Sequence, residues 1–287
     1  MSKYNVAGRT VAITGSTGGL GSALALALRE RGANLALLDL DQQLLDRQAA
    51  ELGGRTVAHG WSVDVRDLTS VTTAMDAAAE HFGRIDVVIA NAGIATNEPM
   101  SVLEPADFDR TIDINLNGVW RTFRAGLPHV EKQKGYLLAI SSMAAFVHSP
   151  LNGPYVASKA GVWALADATR LELRHLGVAV GSAHPTFFPT PMLDDAHANE
   201  GITTLWGGNS SGIWKTVPRE TVVARIVDGI ERRSSFIVAP KQLELAARIP
   251  GIIRPFVERF GFRGNTIADA VDKATRQASS RRQQSRK

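Results

Sequence analysis

The chain has 287 residues and a net charge of +4; 44% of its residues are hydrophobic, 21% are charged and none is cysteine. This length and composition suffice for a sizeable core and exclude disordered, collagen-like and low-complexity proteins. The lack of cysteine excludes disulfides, thiolate metal sites and cysteine nucleophiles and fits a reducing cytoplasm, and no metal site is predicted.

Short apolar segments alternate with helix-like segments along the first 240 residues. Strands are predicted at 9–14, 34–38, 56–61, 85–90, 136–141, 178–183 and 235–239. Helices are predicted at 20–31, 41–52, 67–82, 106–131, 153–176 and 218–233. Because each strand is a nearly continuous apolar run, the pattern predicts a doubly wound α/β domain over residues 1–240, in which helices cover both faces of a parallel seven-stranded sheet.

Two regions depart from this alternation. Residues 186–217 contain two prolines and four glycines, and they are predicted to form a long irregular segment, a lid over a substrate site. Residues 241–287 form the C-terminal extension, which is predicted to be amphipathic and helical with interruptions at Pro250 and Pro255, and then polar and basic. The extension has eleven Lys and Arg residues against four Asp and Glu residues, so it carries +7 and the rest of the chain −3.

The sequence predicts a cytoplasmic protein. Residues 1–9 contain no apolar run of signal-peptide length, and the charge-free stretches 135–158 and 175–193 are broken by polar residues and prolines. The extension leaves two interpretations open. Its apolar part could lie at a membrane surface and its basic end could bind anionic lipid. Alternatively, residues 241–262 cover the substrate pocket or a subunit interface and residues 274–287 are disordered; nucleic-acid binding is not expected.

A glycine-rich turn connects the first predicted strand to the first predicted helix, in the sequence Thr14-Gly-Ser-Thr-Gly-Gly-Leu-Gly21. Glycine allows a tight turn and a close approach to a pyrophosphate, and the helix that follows offers free N–H groups to that anion. The turn therefore predicts a dinucleotide site. Its candidate residues are Gly15, Thr17, Gly19, Leu20 and Gly21.

Asp39 ends the second predicted strand, 18 residues after Gly21. A carboxylate at this place can accept hydrogen bonds from the adenosine ribose and repels a 2′-phosphate. The alternative role, capping the next helix, suits Asp41 better. No Arg or Lys lies at positions 40–43 or in the glycine-rich turn, so NAD is favoured over NADP.

Tyr155 and Lys159 stand four residues apart in Tyr-Val-Ala-Ser-Lys, so one helix places them on the same face. An ammonium group beside a phenol favours the phenolate and is expected to lower the pKa of Tyr155. The pair is thus a candidate for proton transfer near neutral pH.

Together, these motifs identify a resemblance. The sequence resembles the short-chain dehydrogenase/reductase family, of the branch with a core of about 250 residues, over roughly residues 8–240. The motifs that carry the resemblance are Thr14-Gly-x-x-x-Gly19-x-Gly21, Asp64-Val65, Asn91-Ala92-Gly93, Asn115, Ser142 and Tyr155-x-x-x-Lys159. The resemblance implies a Rossmann-type fold, an NAD(P)-dependent interconversion of an alcohol and its carbonyl, and a homodimer or homotetramer formed through the helices at 106–131 and 153–176.

The resemblance also implies a role for each matched residue. Tyr155 would be the general acid/base, Ser142 would orient the substrate oxygen, and Lys159 would hold the nicotinamide ribose. Asn115 would anchor a water molecule that relays protons from Lys159; Asn117 and Ser141 are the competing positions for Asn115 and Ser142. Further cofactor contacts are implied for Asp64, Val65, Asn91, Ala92, Gly93, Tyr155, Lys159, Pro185 and Thr190. The sequence departs from the family at Thr186, where glycine is usual, which leaves the local backbone path open.

The substrate is predicted to be a hydrophobic alcohol or carbonyl compound, such as a steroid, retinoid, long-chain or aryl alcohol. Apolar residues of the 186–217 lid are the candidate lining, with Ser142 and Tyr155 at the reacting oxygen: Phe187, Phe188, Met192, Trp206 and Trp214. The alternatives are an NADPH-dependent carbonyl or 3-oxoacyl reductase and, from another class, a non-catalytic cofactor-sensing protein of the same fold.

Overall fold

The predicted strands form one parallel sheet in the computed structural model, which describes residues 3–210, 212–262 and 264–285. Within these residues the strands are β1 Thr10–Thr14, β2 Asn34–Asp39, β3 Ala58–Ser62, β4 Val87–Ala90, β5 Tyr136–Ile140, β6 Ala179–Pro185 and β7 Phe236–Ala239. Their spatial order is β3-β2-β1-β4-β5-β6-β7, and all neighbours pair in parallel. This order confirms the predicted doubly wound, Rossmann-type α/β fold.

The helices that follow the strands also agree with the predicted positions. They are α1 Gly19–Glu30, α2 Gln42–Glu51, α3 Leu68–Phe82, α4 Pro105–Ile112, α5 Gly118–Lys132, α6 Gly153–Glu172 and α9 Arg219–Glu231, with α7 and α8 in the lid. The segment predicted as one helix at 106–131 is divided, because a π-helical turn at Asp113–Asn117 separates α4 from α5. A 3₁₀ turn at Leu173–Leu176 ends the segment that begins with α6.

Apolar side chains cover both faces of the sheet. On one face the core includes Leu24 and Leu28 of α1 and Ile226 of α9. On the other face Met75 of α3 and Phe123 of α5 pack against the strands. The strand order reverses between β1 and β4, so a crevice opens at the carboxyl ends of these two strands, where ligands of such sheets bind.

The lid is more regular than predicted. It contains two short helices, α7 Pro191–His197 and α8 Glu200–Trp206, in place of a wholly irregular path. Side chains cap both: Thr190 Oγ1 accepts from Leu193 N–H, and Asn199 Oδ1 accepts from the N–H groups of Gly201 and Ile202. Capping satisfies N–H groups that a short helix leaves free, and it stabilises helices too short to show a clear apolar period.

The C-terminal extension is helical, as predicted, but two details differ. Pro255 lies inside α11 Pro250–Gly261 and does not interrupt it; the carbonyl that loses its usual partner belongs to Gly251, an exposed residue. Residues 274–285, which one interpretation expected to be disordered, belong to α12 Thr266–Ser285. Residues 286 and 287 lie outside the described part. The remaining helix of the extension is α10 Glu244–Arg248.

Helix α12 packs against α8 of the lid. Its buried alanines Ala270 and Ala274 contact the lid at Gly201, where small side chains allow the two helices to approach closely. None of the described helices combines the length and the apolarity that crossing a bilayer requires.

Candidate functional site

The glycine-rich turn lies at the crevice between β1 and β4. Gly15 has a φ of +66°, which favours glycine, and a Cβ at Gly21 would collide with the carbonyl oxygen of Gly15. Asn91, at the end of β4, fixes the turn through Nδ2, which donates to the carbonyl oxygens of Thr14 at 3.0 Å and Gly15 at 2.9 Å. Helix α1 begins after Gly18 with no side-chain cap, so its first N–H groups are available to an anion.

A cleft of about 850 Å³ extends from this turn along the carboxyl edge of the sheet. It is bordered by nearly every residue predicted to bind cofactor: Gly15, Thr17, Gly19, Leu20, Asp39, Asp64, Val65, Asn91, Ala92, Gly93, Tyr155, Lys159, Pro185 and Thr190. Gly21 is the exception, since it is buried beneath the turn and does not border the cleft. The structure therefore brings these residues to one surface large enough for a dinucleotide.

Asp39 stands beside the glycine-rich turn and bonds to it. Its Oδ2 accepts from the N–H of Thr17 at 3.0 Å and from the Thr17 hydroxyl at 2.6 Å, and its Oδ1 accepts from Leu40 N–H at 2.8 Å. Asp41 caps α2 by accepting from the N–H groups of Gln43 and Leu44, so Asp39 is not needed as a cap. Asp39 therefore remains a carboxylate at the cleft, held in place by the turn.

Arg66 is a residue of the cleft that sequence reasoning missed. It borders the same cleft as Asp39 but lies outside positions 40–43 and the turn, where a phosphate-binding cation was expected. Its guanidinium forms an ion pair with Asp64 at 2.6 Å, and the hydrogen bond from Arg66 holds the pKa of Asp64 below its usual range. Because the positive charge of Arg66 is paired with Asp64, it is partly neutralised where it borders the cleft.

Tyr155 and Lys159 lie on the first two turns of α6, as predicted. Lys159 is buried, and its Nζ donates to the carbonyl oxygen of Ile140, at the end of β5, at 2.9 Å. Burial lowers the pKa of Lys159 to about 8. The Nζ atom lies 5.5 Å from the centre of the Tyr155 ring.

The pKa of Tyr155 moves opposite to the expected direction. Burial raises it, and a hydrogen bond from the Ser142 hydroxyl opposes that rise. Lys159 was expected to lower it, but Lys159 is itself buried and bonds to Ile140. In this arrangement Ser142 is thus the group that favours the phenolate.

The two adjacent serines have separate environments. Ser141 is buried and its hydroxyl donates to the backbone carbonyl of Lys159 at 2.8 Å. Ser142 Oγ accepts from Ala144 N–H at 3.1 Å, which leaves its hydrogen free for Tyr155. The position next to the phenol is therefore that of Ser142.

Asn115 is fully buried in the π-helical turn between α4 and α5. Its amide pairs with both backbone groups of Ile94, at 2.8 and 2.9 Å, and donates to Ser158 Oγ at 3.0 Å. A Cβ at Gly93 would lie 3.2 Å from Asn115 Oδ1 and 3.4 Å from Lys159 Nζ, so Asn115 and Lys159 approach the same glycine. Asn117, the competing position, is exposed and donates to Asp113.

A second, smaller cavity of about 310 Å³ adjoins the cleft at Tyr155. The residues predicted to bind substrate all border it: Ser142, Tyr155, Phe187, Phe188, Met192 and Trp206, together with Trp214. The rings of Phe187 and Trp206 pack 4.8 Å apart. The N–H of Trp206 donates to Ser149 Oγ at 2.9 Å, so this indole is fixed in place.

Sequence reasoning missed several residues of this cavity. They include Asn97 and Asn152. Leu243, Ala246, Ile253 and Val257 also border the cavity; they were not named individually, but they belong to the segment 241–262, which one of the two interpretations placed over the pocket. The amphipathic period of 243–260 was a usable signal for the last group, because one side of such a helix must pack against something. The loop position of Asn97 offered no comparable signal.

Thr186 adopts no unusual backbone where the family has glycine. Its φ lies outside the left-handed region, and its N–H donates to the carbonyl oxygen of Ala239 in β7 at 2.9 Å. The Cβ is therefore accommodated, and Thr186 borders the smaller cavity. Within the described residues, no group of three His, Asp or Glu side chains is placed to hold a metal ion.

Comparisons with known proteins agree with this geometry. The family model for short chain dehydrogenases matches residues 9–201. The D-threitol dehydrogenase of Mycolicibacterium smegmatis is 36% identical over 191 residues, which cover 66% of this chain and 74% of that protein. The (-)-trans-carveol dehydrogenase of Rhodococcus erythropolis is 35% identical over 219 residues, covering 70% and 77%.

A solved structure shares the fold as well. It is a short-chain dehydrogenase/reductase from Burkholderia phymatum in complex with NAD, which matches with a TM-score of 0.77 and 23% identity over 91% of this chain and 99% of that one. The family model alone spans more than half of the sequence and contains the glycine-rich turn, Ser142, Tyr155 and Lys159. On these grounds the chain belongs to the short-chain dehydrogenase family.

Proposed function

We propose that this protein is an NAD(P)-dependent oxidoreductase that interconverts an apolar primary or secondary alcohol and its carbonyl. One observation carries the proposal: Tyr155 borders both the large cleft and the smaller cavity, so one acid/base group faces the space for a dinucleotide and the space for a substrate. The Ser142 hydroxyl bonds to that phenol and borders the smaller cavity only.

The cleft fits a dinucleotide. The uncapped N-terminus of α1 would hold the pyrophosphate, Asp39 would accept from the adenosine ribose, and Asp64 and Val65 would border the adenine. Lys159 would hold the nicotinamide ribose, and Thr190 the carboxamide. The bound dinucleotide supplies the hydride acceptor for alcohol oxidation or the hydride donor for carbonyl reduction.

The chain's own residues would manage the proton. In oxidation the Tyr155 phenolate accepts the hydroxyl proton of the substrate. The Ser142 hydroxyl, which donates to Tyr155 in the absence of substrate, turns to donate to the substrate oxygen and orients it. In reduction the phenol returns the proton to the carbonyl oxygen. Lys159, whose pKa is about 8, would exchange protons with solvent through a water molecule anchored near Asn115, since both side chains approach Gly93.

NAD is the cofactor we favour over NADP. The Asp39 carboxylate borders the cleft beside the turn, and Arg66, a cation of the same cleft, is paired with Asp64. A carboxylate beside the ribose repels a 2′-phosphate and can accept hydrogen bonds from the ribose hydroxyls.

An apolar substrate suits the smaller cavity. Its lining is dominated by aromatic and aliphatic side chains of the lid and the extension, with Ser142 and Tyr155 as the reacting polar groups. The two relatives are named for different alcohols, so their names do not select a substrate for this chain. We therefore favour a ring-containing or long-chain alcohol over a sugar.

We propose that residues 1–240 form the catalytic domain, with 186–217 as its lid, and that the extension at 241–287 closes the substrate cavity. Ile253 and Val257 of α11 border the cavity, which supports the closing role. Two neighbouring residues of α11, Ile252 and Phe256, are 61% and 59% exposed, which supports peripheral contact of the protein with a membrane surface. Co-sedimentation of the full-length protein with anionic vesicles tests that contact.

A homodimer or homotetramer is also part of the proposal. The helices α4, α5 and α6 expose large apolar side chains at Phe108, Trp120 and Leu171, which is the property of a surface that another subunit covers. Light scattering of the full-length protein distinguishes a dimer from a tetramer.

Replacement of Tyr155 tests the proposed function. We expect Tyr155→Phe to abolish oxidation of apolar alcohols while the protein still gains thermal stability from NAD, because the phenol moves the proton but the cleft binds the dinucleotide. Substantial turnover in the variant would remove Tyr155 from the proposed role. Stabilisation of the wild-type protein by NAD or NADP with no turnover of any alcohol or carbonyl would favour the non-catalytic, cofactor-sensing alternative.

A further inference from the structure

Asn152 is placed to cap α6 but does not do so. It is the residue before Gly153, the first of the helix, and asparagine is among the best caps, yet its side chain makes no cap hydrogen bond. The residue is only 5% exposed, and its amide oxygen has no hydrogen-bond partner among the described residues. A buried amide oxygen without a partner is unfavourable, so the position suggests a partner that the protein itself does not provide.

A second side-chain amide oxygen is also buried without a hydrogen-bond partner. Asn97 also has a buried Oδ1 without a partner among the described residues, and it borders the smaller cavity together with Asn152. The backbone carbonyl of Asn97 accepts from Asn199 Nδ2 at 2.7 Å, and Asn199 caps α8 of the lid. The lid therefore holds this asparagine at the cavity.

The chain also constrains the backbone next to Asn152. Leu151 adopts a φ of +65°, the left-handed region that a leucine rarely enters, and it is buried against the lid and α12. A Cβ at Gly201 would lie 2.8 Å from Leu151 Cδ1, so the leucine is tightly packed there. Asn152 thus follows a residue whose conformation is held by packing, at the border of a cavity that is otherwise mainly apolar.

We propose that Asn152 and Asn97 bind a second polar group of the substrate, a hydroxyl or carbonyl on an otherwise apolar alcohol. The inference rests on the proposed function, since the reacting oxygen is the one beside Ser142 and Tyr155. The side-chain amide of asparagine can both donate and accept hydrogen bonds, and so can a hydroxyl group of the substrate. Asn152 precedes Tyr155 by three residues, about one helical turn, so the second group lies only a few bonds from the reacting carbon.

Two ligands with the same carbon skeleton test this proposal. Menthol has one hydroxyl, on C3, and p-menthane-3,8-diol adds a second hydroxyl on C8, two carbons away from C3. Calorimetry with the full-length protein and saturating NADH, which cannot accept a hydride from an alcohol, gives the dissociation constant of each ligand without turnover. We expect the wild-type protein to prefer the diol and Asn152→Leu to reduce that preference by about tenfold, because the substitution removes one buried hydrogen bond at nearly constant volume.

Further variants separate recognition from folding. Asn97→Leu should reduce the same preference, which keeps the test decisive if Asn152→Leu folds poorly. Met143→Leu, a change between two apolar residues that border the cavity, should alter the affinity for both ligands by the same factor. An unchanged diol preference in both asparagine variants overturns the inference.

The proposed function fails in a different way. If the wild-type protein binds the diol more tightly but oxidises neither compound with NAD or NADP, the recognition stands and the oxidoreductase proposal does not. If it oxidises both and the asparagine variants change kcat/KM equally for the two, the oxidoreductase proposal stands and the inference is wrong.

Discussion

Lys159 is buried and Tyr155 is half-buried, and loss of hydration moves their pKa values in opposite directions. The pKa of Tyr155 rises and that of Lys159 falls to about 8, because each charged form loses hydration. An ionised tyrosine–lysine pair is therefore costly in this pocket unless other groups support it. The Ser142 hydroxyl is the one group that favours the phenolate directly.

Removal of the Ser142 hydroxyl should change the pH dependence of the reaction. Without its hydrogen bond the pKa of Tyr155 rises further, and oxidation needs the phenolate, so in Ser142→Ala the pH of half-maximal kcat/KM should move to higher values. We also expect kcat near neutral pH to fall by about a hundredfold, the usual cost of losing one donor to a reacting oxygen. Ser142→Thr keeps a hydroxyl and should restore the wild-type pH profile; the same profile for Ser142→Ala would argue against this role.

Asp39 should set the cofactor preference. In Asp39→Ala we expect the ratio of kcat/KM with NADP to that with NAD to rise by about tenfold or more, because the charge that repels a 2′-phosphate is gone. Asp41→Ala is the matched control: Asp41 caps α2, so its loss should lower the free energy of unfolding by about 1 kcal/mol and leave the ratio unchanged. An unchanged ratio in Asp39→Ala would assign cofactor discrimination to another residue.

The location of a single residue could be predicted where a chemically suitable side chain stands at the end of a strand or the start of a helix. Tyr155, Ser142 and the glycine-rich turn each stand at a strand end or a helix start, and the structure gathers them at one edge of the sheet. Arg66 was missed because its contribution depends on a contact with Asp64 rather than on a motif. Asn152 was missed because its sequence position indicates a helix cap, and only the structure reveals that the cap bond is absent.

At the scale of elements, the strands were predicted well because buried parallel strands are almost wholly apolar. The lid was not, because α7 and α8 have only seven residues each and depend on Thr190 and Asn199 for their starts. In one of the two interpretations, residues 274–287 were expected to be disordered because they are polar and basic, yet most of them belong to α12. The order of α12 comes from Ala270, Ala274 and Ala278, which are buried. Such stabilisation depends on tertiary contacts and has no signature in composition.

The contact between α8 and α12 should determine how firmly the lid is held. A Cβ at Gly201 would lie 2.9 Å from Ala274 Cβ and would press against the Ala270 carbonyl. In Gly201→Ala the two helices must separate, so we expect the free energy of unfolding to fall by about 1–3 kcal/mol. Trp206 of the same helix borders the smaller cavity, where we propose that the substrate binds, so KM should rise more than kcat falls.

Gly251→Ala is the control for that substitution. Gly251 lies on the exposed side of α11 with no atom within 4 Å of the position of a Cβ, so alanine there should be neutral or slightly stabilising. Thermal unfolding and steady-state kinetics of both variants measure the two effects. Equal stability of Gly201→Ala and the wild type would mean that α12 does not restrain the lid.

At the scale of the whole molecule, the buried carboxylate of Asp86 connects the start of β1 to the start of the neighbouring strand β4. Asp86, directly before β4, is completely buried and accepts from Thr10 N–H at 3.1 Å, at the start of β1. Arg9 and Arg84 form ion pairs with it at 2.7 and 2.6 Å. Burial raises the pKa of Asp86, but the hydrogen bonds from Arg84, Arg9 and Thr10 outweigh burial, so its pKa lies below the usual range.

This lowered pKa makes the fold sensitive to acid. A carboxyl group with a lower pKa in the folded state stabilises the protein fully above the unfolded-state value of about 4, and that stability is lost as the pH falls through the folded-state pKa. In Asp86→Asn we expect a loss of about 3 kcal/mol at pH 7, because two arginines lose their partner, and a weaker decline of stability below pH 4.

Asp228→Asn provides the comparison, since Asp228 pairs with Arg225 and Arg232 at the surface and should contribute no more than about 1 kcal/mol. Urea unfolding at pH 7, 5, 4 and 3 measures both variants against the wild type. If Asp86→Asn loses stability between pH 5 and 3 as steeply as the wild type, then other carboxyl groups hold the sheet together in acid. A flatter curve for Asp86→Asn alone would show that this residue, far from the cleft, links the pH stability of the fold to the pairing of β1 with β4.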